Sequence, residues 1–108
     1  MTRPCIDYRL VNIAIRATAK EYGVSESKLF AKNRRHLPVE MRMICWFVLK
    51  AGTNCRPAEI GKIFGFDHGT VLNAWGKIVP WLRTYPEFRD RYNRVATAFR
   101  ILRDQLTK

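Results

Sequence analysis

Acidic side chains are scarce here: nine Asp and Glu stand against twenty Lys and Arg, leaving a formal charge of +11 at neutral pH and a pI near 10.2. A polyanion becomes the leading class of partner, because each cation placed on a phosphate releases a condensed counterion. Charge by itself does not separate DNA, RNA and an anionic membrane. Cysteine is sparse too. Cys5, Cys45 and Cys55 form no C-x-x-C pair and leave an odd count, which argues against a zinc finger or a disulfide framework and for a reducing compartment. No apolar run approaches the roughly 18 to 20 residues that span a bilayer; the longest, Met43 to Leu49, has seven. The N-terminus lacks the apolar core of a signal peptide. With two histidines, no metal-ligand spacing and no nucleophile beside a base, the sequence offers neither a catalytic site nor a cofactor site. The expectation is a soluble, cytoplasmic, non-catalytic protein without metal, cofactor or membrane partner.

What is present reads as helices in one domain spanning 1–108, a length that supports one modest core. No alternating strand pattern or repeat occurs, and glycines and prolines fall where helices start and stop. A first helix is predicted from about Asp7 to Tyr22, with Ile6, Leu10, Ile13 and Ala17 on one face and Gly23 as its stop. Ser25 then caps a short turn holding Leu29 and Phe30. The stretch "AKNRRHLP" crowds Lys32, Arg34, Arg35 and His36 into a loop before Pro38, which suits the first turn of a helix running to Ala51. That helix contains "MICWFVL" and is apolar on nearly every side, so it should form the buried centre, with Cys45 as core.

Pro57 opens a short helix, "PAEIGKIF", closed by Gly65, and a longer helix follows from 68 to 84 with Asp67 as its N-cap. Short helix, glycine turn, longer helix is the helix-turn-helix pattern. Val71, Leu72, Trp75, Ile78 and Leu82 are predicted to face the core. The opposite strip, Gly69, Asn73, Gly76 and Pro80, has little side-chain bulk although glycine costs about 1 kcal/mol in a helix interior, so it is shaped for close approach. Pro80 should end or kink the helix. The N-terminal turn offers free N–H groups to a phosphate, and His68, Thr70 and Asn73 carry groups that can touch base edges. The same residues also fit a plain capped turn with a solvated histidine. From Pro86 onward, Phe88, Tyr92, Val95, Phe99, Leu102 and Leu106 form a narrow seam on one long helix, which packs against the first helix or makes a dimer.

These residues carry a resemblance. "VEMRMICWFVLKAGTNCRPAEIGKIFGFDHGTVLNAWGKI", residues 39 to 78, resembles the C-terminal DNA-binding domain of the bacterial replication initiator DnaA, marked by an Asp-His-Thr-Thr-Val stretch at the start of its recognition helix. The likeness extends over about residues 7 to 106. It implies an all-α, Trp-repressor-like helix-turn-helix domain that binds double-stranded DNA. A loop arginine would enter the minor groove, for which Arg34 is the best match, with Lys32 and Arg35 beside it; a narrow, A·T-containing groove concentrates the negative potential that suits it. Asp67, His68 and Thr70 match base-contacting or base-proximal positions of the recognition helix. Arg42 and Lys50 match backbone-contacting cations, and Arg56 with Pro57 and Ala58 lies near the DNA.

The departures from the family are specific. Gly69 stands where the family has the first threonine, the turn "FGFDH" is a residue shorter than the common form, and Pro80 is unexpected. No G-x-x-x-x-G-K-[ST] loop is present, so the initiator's ATPase is not expected. The reading is a stand-alone DNA-binding regulator of replication or transcription. Two other readings stay open: a protein-interaction module that binds the initiator or itself through the C-terminal seam, and an RNA-binding module.

Overall fold

The computed structural model describes residues 7–30 and 36–106. Five α-helices and one 3-10 turn account for the regular structure of those residues: α1 (Tyr8–Tyr22), the turn Glu26–Phe30, α2 (His36–Gly52), α3 (Pro57–Phe64), α4 (His68–Thr84) and α5 (Pro86–Leu106). The all-α expectation holds, and the helix-turn-helix is α3 and α4 joined by Gly65, Phe66 and Asp67. None of the described helices is long and apolar enough to cross a membrane.

Local chemistry sets the helix ends. The Asp7 carboxylate accepts the Arg9 N–H at 2.9 Å and begins α1, while Gly23, at φ 66°, takes the left-handed conformation that ends it. The Arg9 guanidinium and backbone N–H hold the Asp7 carboxyl below its usual range. Beyond Gly23, the Ser25 carbonyl accepts the Lys28 N–H at 3.2 Å and its hydroxyl pairs with that of Ser27 at 2.8 Å. α2 begins at His36, two residues before the expected Pro38, because proline is tolerated anywhere in a first turn whose N–H groups have no helical partner.

α2 is the centre of the domain. Met41, Met43, Ile44, Cys45, Trp46, Val48 and Leu49 are all buried, and α1, α4 and α5 pack around it. Burial pushes the Cys45 thiol up to about 12, so it stays a neutral core group beside Thr18, whose own hydroxyl donates to the Ala14 carbonyl at 2.8 Å. α1 turns a wider face inward than its predicted stripe: Val11, Ala14, Ile15, Ala17 and Thr18 are buried, whereas Leu10 and Ile13 are half-buried. Ile6 lies outside the described residues.

α5 packs along α1, as one of the two readings of its seam expected. Phe88, Val95 and Phe99 are buried, Tyr92 and Leu102 half-buried, and Leu106 is exposed. Arg94 pairs with Glu21 at 2.8 Å, and Arg91 lies 4.5 Å over the Tyr22 ring. The Tyr22 hydroxyl donates to Glu40 and joins the end of α1 to the start of α2.

One expectation about α4 is corrected, and one of the two outcomes expected at Pro80 does not occur. Leu72 does not face the core; it is 49% exposed, because it sits about 100° around the helix from buried Val71 and so at the edge of the buried stripe. Pro80 does not end the helix, which continues to Thr84. The carbonyl that loses its helical partner there is that of Gly76, an exposed residue without a side chain, so water can replace the bond.

The α3–α4 junction is closed by one close approach. A Cβ on Gly61 would collide with the Phe66 carbonyl oxygen, and the Phe66 N–H in turn donates to the Gly61 carbonyl at 2.8 Å. Only a residue without a side chain lets the turn lie against α3. Gly61→Ala should lower stability by about 1–3 kcal/mol, read as a lower urea midpoint at unchanged slope.

Candidate nucleic-acid interface

The N-terminus of α4 is exposed and rigidly capped. Asp67 Oδ1 accepts both the Thr70 N–H at 2.9 Å and the Thr70 hydroxyl at 2.7 Å. The hydroxyl and backbone N–H of Thr70 hold the Asp67 carboxyl below its usual range. The capped-turn reading therefore describes real geometry, and it leaves chemistry to spare. An ionised carboxylate has lone pairs beyond those two bonds, and the Thr70 oxygen can still accept.

His68, Gly69, Thr70 and Asn73 are all exposed beside this cap. Gly76 and Pro80 continue the exposed strip along the helix, as expected from the sequence. A Cβ at Gly69 would make only an ordinary contact, 3.7 Å from Asp67 Oδ1, and one at Gly76 would meet nothing within 4 Å. The helix thus presents bare backbone to an approaching surface. Flanking the strip are Leu72 and Val79, 49% and 42% exposed, and the exposed Lys77.

The remaining expected residues fall into three groups. Lys50 is exposed on α2 and reaches α4, with Nζ 5.5 Å from the Trp75 ring centre and 5.9 Å from that of Phe47. Trp75 is held in turn by its Nε1–H, which donates to the Trp46 carbonyl at 3.0 Å. Arg56 is exposed at the N-cap of α3, its N–H bonded to Glu59 Oε1 at 2.9 Å; Pro57 is half-buried and Ala58 exposed. Arg42 is different. It is only 6% exposed, and its guanidinium lies 4.8 Å over the Phe66 ring, inside the helix-turn-helix junction.

Lys32, Arg34 and Arg35 lie outside the described residues. Phe30, the last described residue before them, stacks on Phe64 at the end of α3, at 4.9 Å with an 18° interplanar angle. Sequence reasoning placed His68, Gly69, Thr70 and Asn73 on the exposed side of α4 but missed Leu72, whose signal was its offset from Val71 on the helical wheel. It also missed the Arg42–Phe66 contact, which joins residues 24 positions apart and leaves no local pattern.

Residues 11–78 match the family described as "Bacterial dnaA protein helix-turn-helix". The chromosomal replication initiator protein DnaA of Deinococcus radiodurans is 30% identical over 79 residues, which are 73% of this chain and 17% of that protein. The DnaA of Xanthobacter autotrophicus is 39% identical over 69 residues, 63% of this chain and 14% of the relative. That of Rhizobium meliloti is 41% identical over 64 residues, 58% and 13% respectively. The chain matches less than a fifth of the length of each of these relatives.

Two outcomes test the local geometry. Trp75→Phe, which removes the bond to the Trp46 carbonyl while keeping a ring, should cost about 0.5–1.5 kcal/mol in chemical denaturation. Because the folded Asp67 carboxyl titrates below its unfolded value, the stability it contributes is full above about pH 4 and is lost as the pH falls through the folded value. Asp67→Asn, whose amide oxygen can still cap, should therefore show a shallower fall in thermal midpoint below pH 4 than the parent.

Proposed function

The chain belongs to the bacterial DnaA helix-turn-helix family of DNA-binding domains, and from that membership we propose that it binds double-stranded DNA with a sequence preference set by the N-terminus of α4. The observation that carries this reading is the capped first turn of α4 bearing the exposed His68, Gly69 and Thr70, with the exposed Asn73 one turn on, in a chain of charge +11. In the major groove, Asp67 can accept from a cytosine amino group, His68 and Asn73 can hydrogen-bond base edges, and the Thr70 methyl can lie on a thymine methyl. The small residues along the strip let the helix backbone approach the groove.

Lys50, exposed on α2 beside Trp75 of α4, and Arg56, exposed at the start of α3, supply phosphate contacts, which position the helix and give most of the affinity. Arg34, with Lys32 and Arg35, reads the adjoining minor groove, where a narrow A·T-containing segment favours arginine. Gly69 lacks the methyl and hydroxyl that a threonine would bring, so one base pair of the site is read less stringently than in relatives with Thr there. The protein acts without catalysis, as a regulator of replication initiation or transcription at initiator-type boxes in the nucleoid.

Selection of bound duplexes from a random-sequence pool at near-physiological salt tests this reading, because non-specific phosphate binding weakens steeply there. The parent should enrich a defined motif that Arg34→Ala fails to enrich. Recovery of no motif by a folded parent would reject sequence reading. His68→Ala should lose about 1–3 kcal/mol of discrimination at one base pair with little change in non-specific affinity. Gly69→Thr fits the open space beside Asp67 and should sharpen the motif at the neighbouring position. An unchanged motif would place residue 69 away from the bases.

A further inference from the structure

Arg42 matches a backbone-contacting position by sequence, yet its surroundings are those of a packed side chain. It is 6% exposed, and burial lowers its pKa from the ordinary arginine value, although a guanidinium remains charged. Its guanidinium carbon lies 4.8 Å from the centre of the Phe66 ring, over the ring face. Trp46, one helical turn further along α2, meets the same ring edge-on at 5.5 Å. Two residues of one α2 face therefore grip Phe66. The backbone of Phe66 is held as well, by the hydrogen bond to Gly61 and by the close approach that a Cβ there would block.

Phe66 immediately precedes Asp67, whose carboxylate caps α4 and fixes Thr70. A shift of the Phe66 ring would move the cap, and with it the first turn of α4, relative to α2 and its Lys50. The attraction between a cation and a ring face strengthens when both are withdrawn from water. We infer that Arg42 is a positioning residue for DNA reading: through Phe66 it sets where the α4 N-terminus stands in the groove, and it is not one of the cations that neutralise phosphate. This rests on the DNA-binding reading above and adds to it the means by which the reading turn is aimed.

The test compares affinity for a selected duplex and a scrambled one across a salt series, with folding checked by thermal melting. Arg42→Lys keeps the charge and replaces the guanidinium over the ring with a smaller ammonium, so it should lower discrimination between the duplexes about tenfold while leaving the salt slope unchanged. Phe66→Leu should do the same. The double variant should be no worse than Phe66→Leu alone, since both remove one contact. Lys50→Ala should instead lower the slope by about one at unchanged discrimination. Amide hydrogen exchange at Phe66 and Thr70 in the free protein gives a second readout and should speed up in Arg42→Lys but not in Lys50→Ala. Intact discrimination in Arg42→Lys, additive losses in the double variant, or a fall in slope for Arg42→Gln equal to that of Lys50→Ala would each overturn the inference. A parent that does not distinguish the duplexes would overturn the DNA-reading proposal as well, so the two failures are told apart by the parent itself.

Discussion

The close approach of the Phe66 backbone to Gly61 is the constraint on which the rest of the arrangement hangs. A helix normally keeps neighbouring chain at side-chain distance; here the absence of a Cβ lets the turn carbonyl lie directly against α3, and the Phe66 N–H closes the contact from the other direction. Gly65, at φ 77°, reverses the chain in the left-handed conformation that glycine adopts without steric cost. Between them these glycines leave only Phe66 and Asp67 to reach the next helix. The position of the α4 cap follows from backbone packing before any side chain of α4 contributes.

α2 turns that local geometry into a rigid platform. Its buried apolar faces hold α1, α4 and α5 together, and its polar positions are not spare. Arg42 stacks on the turn, the Trp46 carbonyl receives the Trp75 indole, and Lys50 lies over the Trp75 ring. Groups carried on packed helices are held more precisely than groups on loops. The same helix that forms the buried centre of the core therefore also helps to hold the α3–α4 turn in place.

In that turn, the residues that cap the helix are also the ones it leaves exposed. Asp67 uses one oxygen to cap the helix and to hold the Thr70 hydroxyl, which pre-orders both side chains before any partner arrives. Ordering in the free protein reduces the entropy lost on association. Gly69 trades a side-chain contact for an open backbone, and Gly76 with Pro80 extends that openness along the helix. The chain keeps the basic charge and the helix-turn-helix of its family while leaving position 69 without a side chain.

The amino-acid sequence by itself determined the number and order of the helices, their caps at Gly23, Gly65 and Asp67, and the exposed strip of α4, because caps and helical periodicity are set by residues within a turn of one another. The resemblance carried by the Asp-His-x-Thr-Val stretch named the family for the same reason, since its residues are contiguous. Tertiary structure decided what depends on partners far along the chain. It exposed Leu72, where the edge of the buried stripe is set by neighbouring helices, and it carried α4 through Pro80, where an exposed carbonyl tolerates the missing bond. It also turned Arg42 inward onto Phe66 while leaving Lys50, two turns later on α2, at the surface. Two cations of equal charge on one helix differ in burial because one lies beneath the turn and the other beside α4, a distinction that no local pattern records.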